Sequence, residues 1–473
     1  MQKIYLTVLF LAMFLANAKA QNIPRLGSAS DALWSKSAEL NIGKAAYDRL
    51  YRQGHIYETQ ADNDYLNYLG QKIGAFTKTR LGLTFYLTNA KTINAFATPG
   101  GYIGVNAGLV LRTDNEHELA GVLAHEIAHV AQEHIARSML AAKDRQIANA
   151  AAMLAGVLLA TAGDAGEAGE SVISAVVAGE TQRQINDIRR HEIEADKTGR
   201  QLMTQAGFSE KGMQHFFAKL RTPVFADTTP AYLLTHPVPL ERQAAIDNPH
   251  GGNHQKRLHS SDEYYLFRAR LRSAMLSQQR IQDIIQQEQA AGNPQISDAA
   301  RYLSALAAMK KGQFGNALAQ LTGMQTKMKN KRDVGLLKAK LSLLQGQNAA
   351  AENIYRRLWQ RFSGDSVVAY DYGGFLMRQG HYRQAEKLLS KQLDNDSLNP
   401  QLYWLYGQIL GKCGEKIKQN RLLIRFYQQS GDYERALAQA QIAAKLPAVD
   451  WQSRSMFEAK QKELQRIIDS LKE

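Results

Sequence analysis

Four glycines, Gly312, Gly346, Gly380 and Gly414, recur at steps of 34 through the carboxy-terminal half of the chain. Each lies in a polar turn between apolar-periodic stretches: "KKGQF" (310–314), "LQGQN" (344–348), "RQGHY" (378–382) and "KCGEK" (412–416). A unit of that length holds two amphipathic helices and a turn, and one such unit cannot bury its apolar face alone, so the helix pairs must stack. Phe314 and Ala317, like Tyr382 and Ala385, follow their glycines by two and five residues, supplying an aromatic and a small residue at matching positions. The stretch "SGDYERALAQAQIAAKLP" (430–447) repeats the pattern most fully, with Gly431, Tyr433, Ala436 and Pro447, but half a period out of step. Irregular or phase-shifted last repeats are expected.

This is the period of tetratricopeptide repeats, which are expected over 262–473 and form a concave surface suited to peptide or protein segments. A chain of 473 residues exceeds what one hydrophobic core usually supports, so a second domain is expected ahead of the repeats, over 21–261. From Ala29 to about Arg80 the pattern is helical; "LTFYLTN" (83–89) reads as a strand, and 93–110 as two short strands joined at Pro99-Gly100-Gly101. Asp114 and Glu116 precede a helix through 125–134, a second helix covers 184–206, and "LLTHPVPLERQ" (233–243) forms a proline-marked loop. The fold class is mainly α with a small β-sheet, followed by an α-solenoid.

The first twenty residues carry a lysine, an apolar run from Ile4 to Ala16 and then Ala18-Lys19-Ala20. They read as a secretory signal cleaved near Ala20, too short for a comfortable membrane span, with no following cysteine to carry a lipid anchor. Export would permit disulfides, but Cys413 is the only cysteine, so stability must come from packing. The net charge of +14 points in an exported chain to a solvated basic surface, acidic partners or anionic membrane surfaces rather than nucleic acid. Residues 147–180 are rich in alanine and glycine and read as a mobile helical insertion lying over the site, with peripheral membrane contact as one use.

The chemistry lies in "HEIAHVAQEH" (125–134). Four apart on a helix, His125 and His129 share a face and can aim at one ion, while Glu126, one step round, can reach a water on it. Zinc polarises a peptide carbonyl and acidifies water; the glutamate takes the proton and returns it to the leaving amine. A third ligand is required. Gln132 and Ile135 break the metzincin extension, and "ANAAAML" (148–154) offers no acid at the thermolysin-like interval. "HEIEAD" (191–196) is the next supply, but Glu192 and Glu194 are two apart on a helix, so only one can face the metal.

HEIAH, followed about sixty residues later by E-x-x-A-D (Glu192 to Asp196) and then by Thr235-His236-Pro237 with Arg242, resembles the M48 family of zinc metallopeptidases over roughly 45–250. "NAF..PGG" (94–101) is similar to that family's active-site edge strand. The resemblance implies a zincin-type domain with one Zn2+ per chain held by His125, His129 and Glu192, and with Glu126 catalytic. Asp196, one turn after Glu192, is expected to orient a ligand histidine. Together, the signal, this domain and the repeats resemble the periplasmic β-barrel assembly-enhancing protease family of Gram-negative bacteria. That implies a periplasmic metalloendopeptidase with a chaperone-like role. Its expected partners are unfolded or misassembled outer-membrane proteins, the β-barrel assembly machinery and the lipopolysaccharide-transport barrel. The alternative is a scaffold whose zinc site is closed.

His236 has two physically distinct roles open to it. On a proline-stiffened loop it can fill zinc's fourth position and keep the enzyme latent, or it can stay off the metal and donate to the oxyanion; zinc contact at rest is the expectation. His134, five residues after His129, is expected to point off the metal face, and His191 to be solvated.

Overall fold

The computed structural model describes residues 35–143, 182–220, 230–237, 259–390, 392, 400–447 and 449–470. The expected secretory signal, the expected insertion at 147–180 and Arg242 lie outside the described residues. Helices α1 (Lys36–Arg52) and α2 (Gln60–Gly74) lead into β1 (Thr84–Thr88), β2 (Ala95–Thr98) and β3 (Tyr102–Asn106), with Pro99–Gly101 as the turn between the last two. The sheet order is β1-β3-β2, with β1 parallel and β2 antiparallel to β3.

One edge of this sheet is closed by a helix. Asn67 of α2 accepts from the Phe85 backbone N–H at 3.2 Å and donates to its carbonyl at 2.8 Å; Asn63 accepts from Leu87 N–H at 3.0 Å, and Gln71 donates to Leu83 O at 2.7 Å. Four residues of helix rise about 6 Å and two residues of strand about 6.6 Å, so amides spaced by four on α2 stay in register with alternate residues of β1. The ladder satisfies backbone groups that an edge strand would otherwise expose, and β2 remains as the other edge.

After α3 (Ala107–Arg112) comes α4 (Glu116–Ala131), started by Asn115, whose side chain accepts from Glu118 N–H at 3.1 Å. Glu116 is therefore the first residue of the helix rather than a residue before it. Leu119 through Val130 are buried, because β2, α2, α6 (Gln182–Gln205) and α7 (Lys211–Leu220) surround the helix. Small residues allow the approach: a Cβ on Gly199 of α6 would meet the Ala124 backbone at 3.2 Å. A short α5 (His134–Lys143) precedes α6, and α8 (Ala231–Thr235) delivers His236.

Helices α9 (Asp262–Met275) and α10 (Gln278–Ala290) precede hairpins α11 (Pro294–Lys310)/α12 (Phe314–Thr322), α13 (Arg332–Leu344)/α14 (Asn348–Arg361), α15 (Ser366–Arg378)/α16 (Tyr382–Ser390) and α17 (Pro400–Lys412)/α18 (Lys416–Gln429). The period-34 glycines close them with left-handed φ of 72°, 75°, 78° and 83°, a conformation that disfavours other residues. Gly431 (φ 69°) instead lies between α18 and α19 (Tyr433–Ala444), at the turn between hairpins. Its half-period offset is that change of turn. The final helix is α20 (Trp451–Ser470).

The expected boundary between 261 and 262 runs through one continuous core. A single cluster of buried apolar residues extends from Tyr65 through the sheet, α4 and α9 to Leu341 of α13. Polar contacts cross the same seam: Glu116 accepts from Ser261 N–H at 2.7 Å, Arg268 donates to Thr113 O at 2.8 Å, and Arg270 pairs with buried Asp62. Farther on, Lys44 of α1 donates to Gln428 O and Tyr433 to Asp48, so the later repeats also rest on α1. Among the described residues no helix is long and apolar enough to cross a membrane.

Candidate metal centre

His125 and His129 project from one face of α4, Glu192 from facing α6, and His236 from the end of α8; all four are buried, with one ligand atom from each within 4.8 Å of the others. His125 Nε2 stands 3.0 Å from His129 Nε2, 3.4 Å from Glu192 Oε2 and 3.3 Å from His236 Nδ1. Glu192 Oε1 lies 3.3 Å from His129 Nε2 and 3.0 Å from His236 Nδ1. Bonds of about 2.0–2.1 Å to a tetrahedral zinc place its ligand atoms about 3.3–3.4 Å apart. Most of the measured separations are close to that spacing, so three imidazoles and a carboxylate here could hold such an ion.

Electrostatics agree. Burial would depress His125, but hydrogen bonding to Asp196 and Glu192 outweighs it and raises its pKa to about 9. Desolvation wins at His129, pushing it down to about 4. Burial opposes the charge on Glu192, yet His236, His125 and His129 hold it well below the usual carboxylate range. The Glu192 and Asp196 carboxylates thus favour a positive charge beside them, which a cation would supply.

Glu126 is buried beside the cluster, and its Oε1 has no hydrogen-bond partner; His236 Nε2 stands 3.4 Å from that oxygen. Asp196 Oδ1 lies 3.0 Å from His125 Nδ1, the ring nitrogen facing away from the cluster. Glu194 is not in the cluster: its half-exposed carboxylate meets His134 and Arg137. His191 is half-buried rather than solvated, stacked on His134 with centroids 4.3 Å apart. His134 turns back and places its Nδ1 2.9 Å from His129 Nδ1, a contact that spacing alone did not reveal. Sequence reasoning also missed the aromatic bracing by Phe217 against His125 and Tyr232 against His236, for which no local motif exists. A small cleft lined by Thr98, Pro99, Gly100, Glu133, Ala136 and His129 lies between the end of β2 and one member of the cluster, His129.

Residues 62–250 match the family described as Peptidase family M48, and residues 342–409 match Tetratricopeptide repeat. The chain is 28% identical over 382 residues to the beta-barrel assembly-enhancing protease of Escherichia coli K12, covering 80% of this chain and 77% of that protein. A Vibrio cholerae relative, named provisionally for the same role, is 38% identical over 231 residues, covering 48% of this chain and about half, 47%, of its own length. Metalloprotease LoiP of Escherichia coli K12 is 34% identical over 134 residues, covering 28% of this chain and 48% of LoiP.

Proposed function

Because the chain carries a peptidase family M48 domain ahead of tetratricopeptide repeats, we propose that it is a periplasmic zinc endopeptidase for quality control of outer-membrane β-barrel assembly. Its clients are misassembled barrels, engaged with the assembly machinery through the repeats, and its resting site is latent. The names of the relatives support the assembly role. The buried set of His125, His129, Glu192 and His236, with ligand atoms within 4.8 Å of one another and Glu126 beside it, carries the chemical reading.

His125, His129 and Glu192 would hold zinc, which supplies Lewis acidity to the scissile carbonyl and acidifies water. Asp196 fixes the His125 ring so that Nε2 faces inward. Glu126 would accept the proton of the attacking water on Oε1, which makes no hydrogen bond, and pass it to the leaving amine. β2, as an open edge leading to the cleft at His129, would pair with an extended client backbone and hold it still. His236, with Nδ1 3.3 Å from His125 Nε2 and 3.0 Å from Glu192 Oε1, would serve as a fourth ligand at rest and keep that water out.

Glu126→Gln tests the reading. Zinc content and thermal melting should match the wild type while cleavage of an unfolded outer-membrane protein falls by about 10²–10⁴-fold. The place of His236 within the cluster also favours a second reading, a chaperone-like scaffold with a closed zinc site. A Glu126→Gln chain that rescues every cellular phenotype would select it.

A further inference from the structure

We propose that His134 is a positioning residue: held by Glu194, it fixes the His129 ring so that Nε2 faces the metal, and α6 thereby orients both His125 and His129 of α4. The inference rests on the metal reading above. Asp196 acts on His125 directly, at 3.0 Å; two positions earlier on α6, Glu194 acts on His129 through an intervening imidazole.

The protons follow from the chemistry of the ends. The Glu194 carboxylate can only accept, so His134 Nε2, 3.0 Å away, carries a proton. A neutral His134 then has a bare Nδ1, which accepts from His129 Nδ1–H at 2.9 Å. His129 Nε2 is left with its lone pair pointing at His125 and Glu192. One surface carboxylate thereby sets the tautomers of two rings.

The backbone is shaped for this contact. On an unbroken helix His134 would lie about 140° round from His129. Glu133 adopts φ 55°, left-handed for a non-glycine residue, and ends the helical path so that α5 starts at His134 and its ring folds back. Arg80 pairs with the Glu133 carboxylate at 3.1 Å, and Arg137 holds Glu194 at 3.0 Å. His134 is 3% exposed, so bulk water is poorly placed to substitute for it.

The test compares His134→Leu, His134→Gln and Glu194→Ala in the full chain, reading zinc affinity by chelator competition and the melting temperature of the metal-free protein. Leu removes the relay, whereas the Gln amide offers one acceptor and one donor. We expect His134→Leu to weaken zinc by about 10–100-fold with little change in metal-free melting, and His134→Gln to restore most of it. Glu194→Ala, at a half-exposed position where folding is not at risk, should weaken zinc several-fold. Ring ¹⁵N spectra of the loaded wild type should show His134 protonated on Nε2 alone. Equal zinc loss in the Leu and Gln variants, unchanged affinity in Leu and Ala, or a proton on His134 Nδ1 would overturn the inference. A wild type that binds no zinc would overturn the metal reading and this inference with it.

Discussion

Removing residues 262–473 should unfold the metallopeptidase unit rather than release it. Helix α9 contributes Tyr264, Leu266, Phe267 and Leu271, each 0% exposed, to the core shared with α2 and α4. At about 1.5–3 kcal/mol per fully buried side chain, those four supply about 6–12 kcal/mol. A folded domain holds only about 5–15 kcal/mol in total. The cut also strips Arg270 from Asp62, and a buried charge left without its partner costs about 3–5 kcal/mol. Glu116 loses Ser261 as well. Together, at about 9–17 kcal/mol, the two losses are as large as the margin itself, so 21–261 should have no cooperative thermal transition and no stoichiometric zinc. A longer piece, 21–346, keeps α9 to α13 and should have both. The assay is circular-dichroism melting with metal analysis on the two pieces. A 21–261 fragment that melts cooperatively and binds one zinc would refute the single-core reasoning.

His236→Ala should raise basal cleavage of an unfolded protein several-fold, because it opens the fourth vertex; a large fall in turnover at unchanged zinc content would instead assign His236 to the oxyanion. The metal-free chain should have a stability optimum near pH 6.5. His125, raised to about 9, contributes stability present below its unfolded pKa of about 6.5 and lost as pH climbs to 9, while His129 and His134, lowered to about 4, lose theirs as pH falls from 6.5 to 4. Zinc requires neutral His125, so loading should flatten the alkaline arm; parallel denaturation curves across pH 5–9 for the two forms would contradict this. Asn67→Leu should lower stability by about 2–4 kcal/mol in urea titration, since it leaves both backbone groups of Phe85 without their amide partner; a change below about 0.5 kcal/mol would show that the ladder contributes little.

What the sequence makes legible here is whatever one element decides by itself. The i, i+4 pair His125/His129 can be read because a single helix sets it, and the period-34 glycines because one hairpin requires the left-handed turn. Assigning Glu192 over Glu194 needed a motif, since both lie on α6 and only the facing helix distinguishes the inward side. The opposite case is α9. Its apolar stripe looks the same whether it covers another repeat or the sheet domain, so a repeat boundary at 262 follows from periodicity even though Tyr264 and Phe267 pack among α2 and α4 residues. The amide ladder is hidden for a related reason: Asn63, Asn67 and Gln71 read as the polar face of a helix until β1 lies beside them. His134 is hidden by one backbone angle. Spacing arguments assume an unbroken helix, and the left-handed Glu133 sends the ring back toward His129 by a route that 3.6-residue periodicity cannot represent. Proton order at the centre therefore depends on a contact between elements, even though the ligand pair itself is set within one helix.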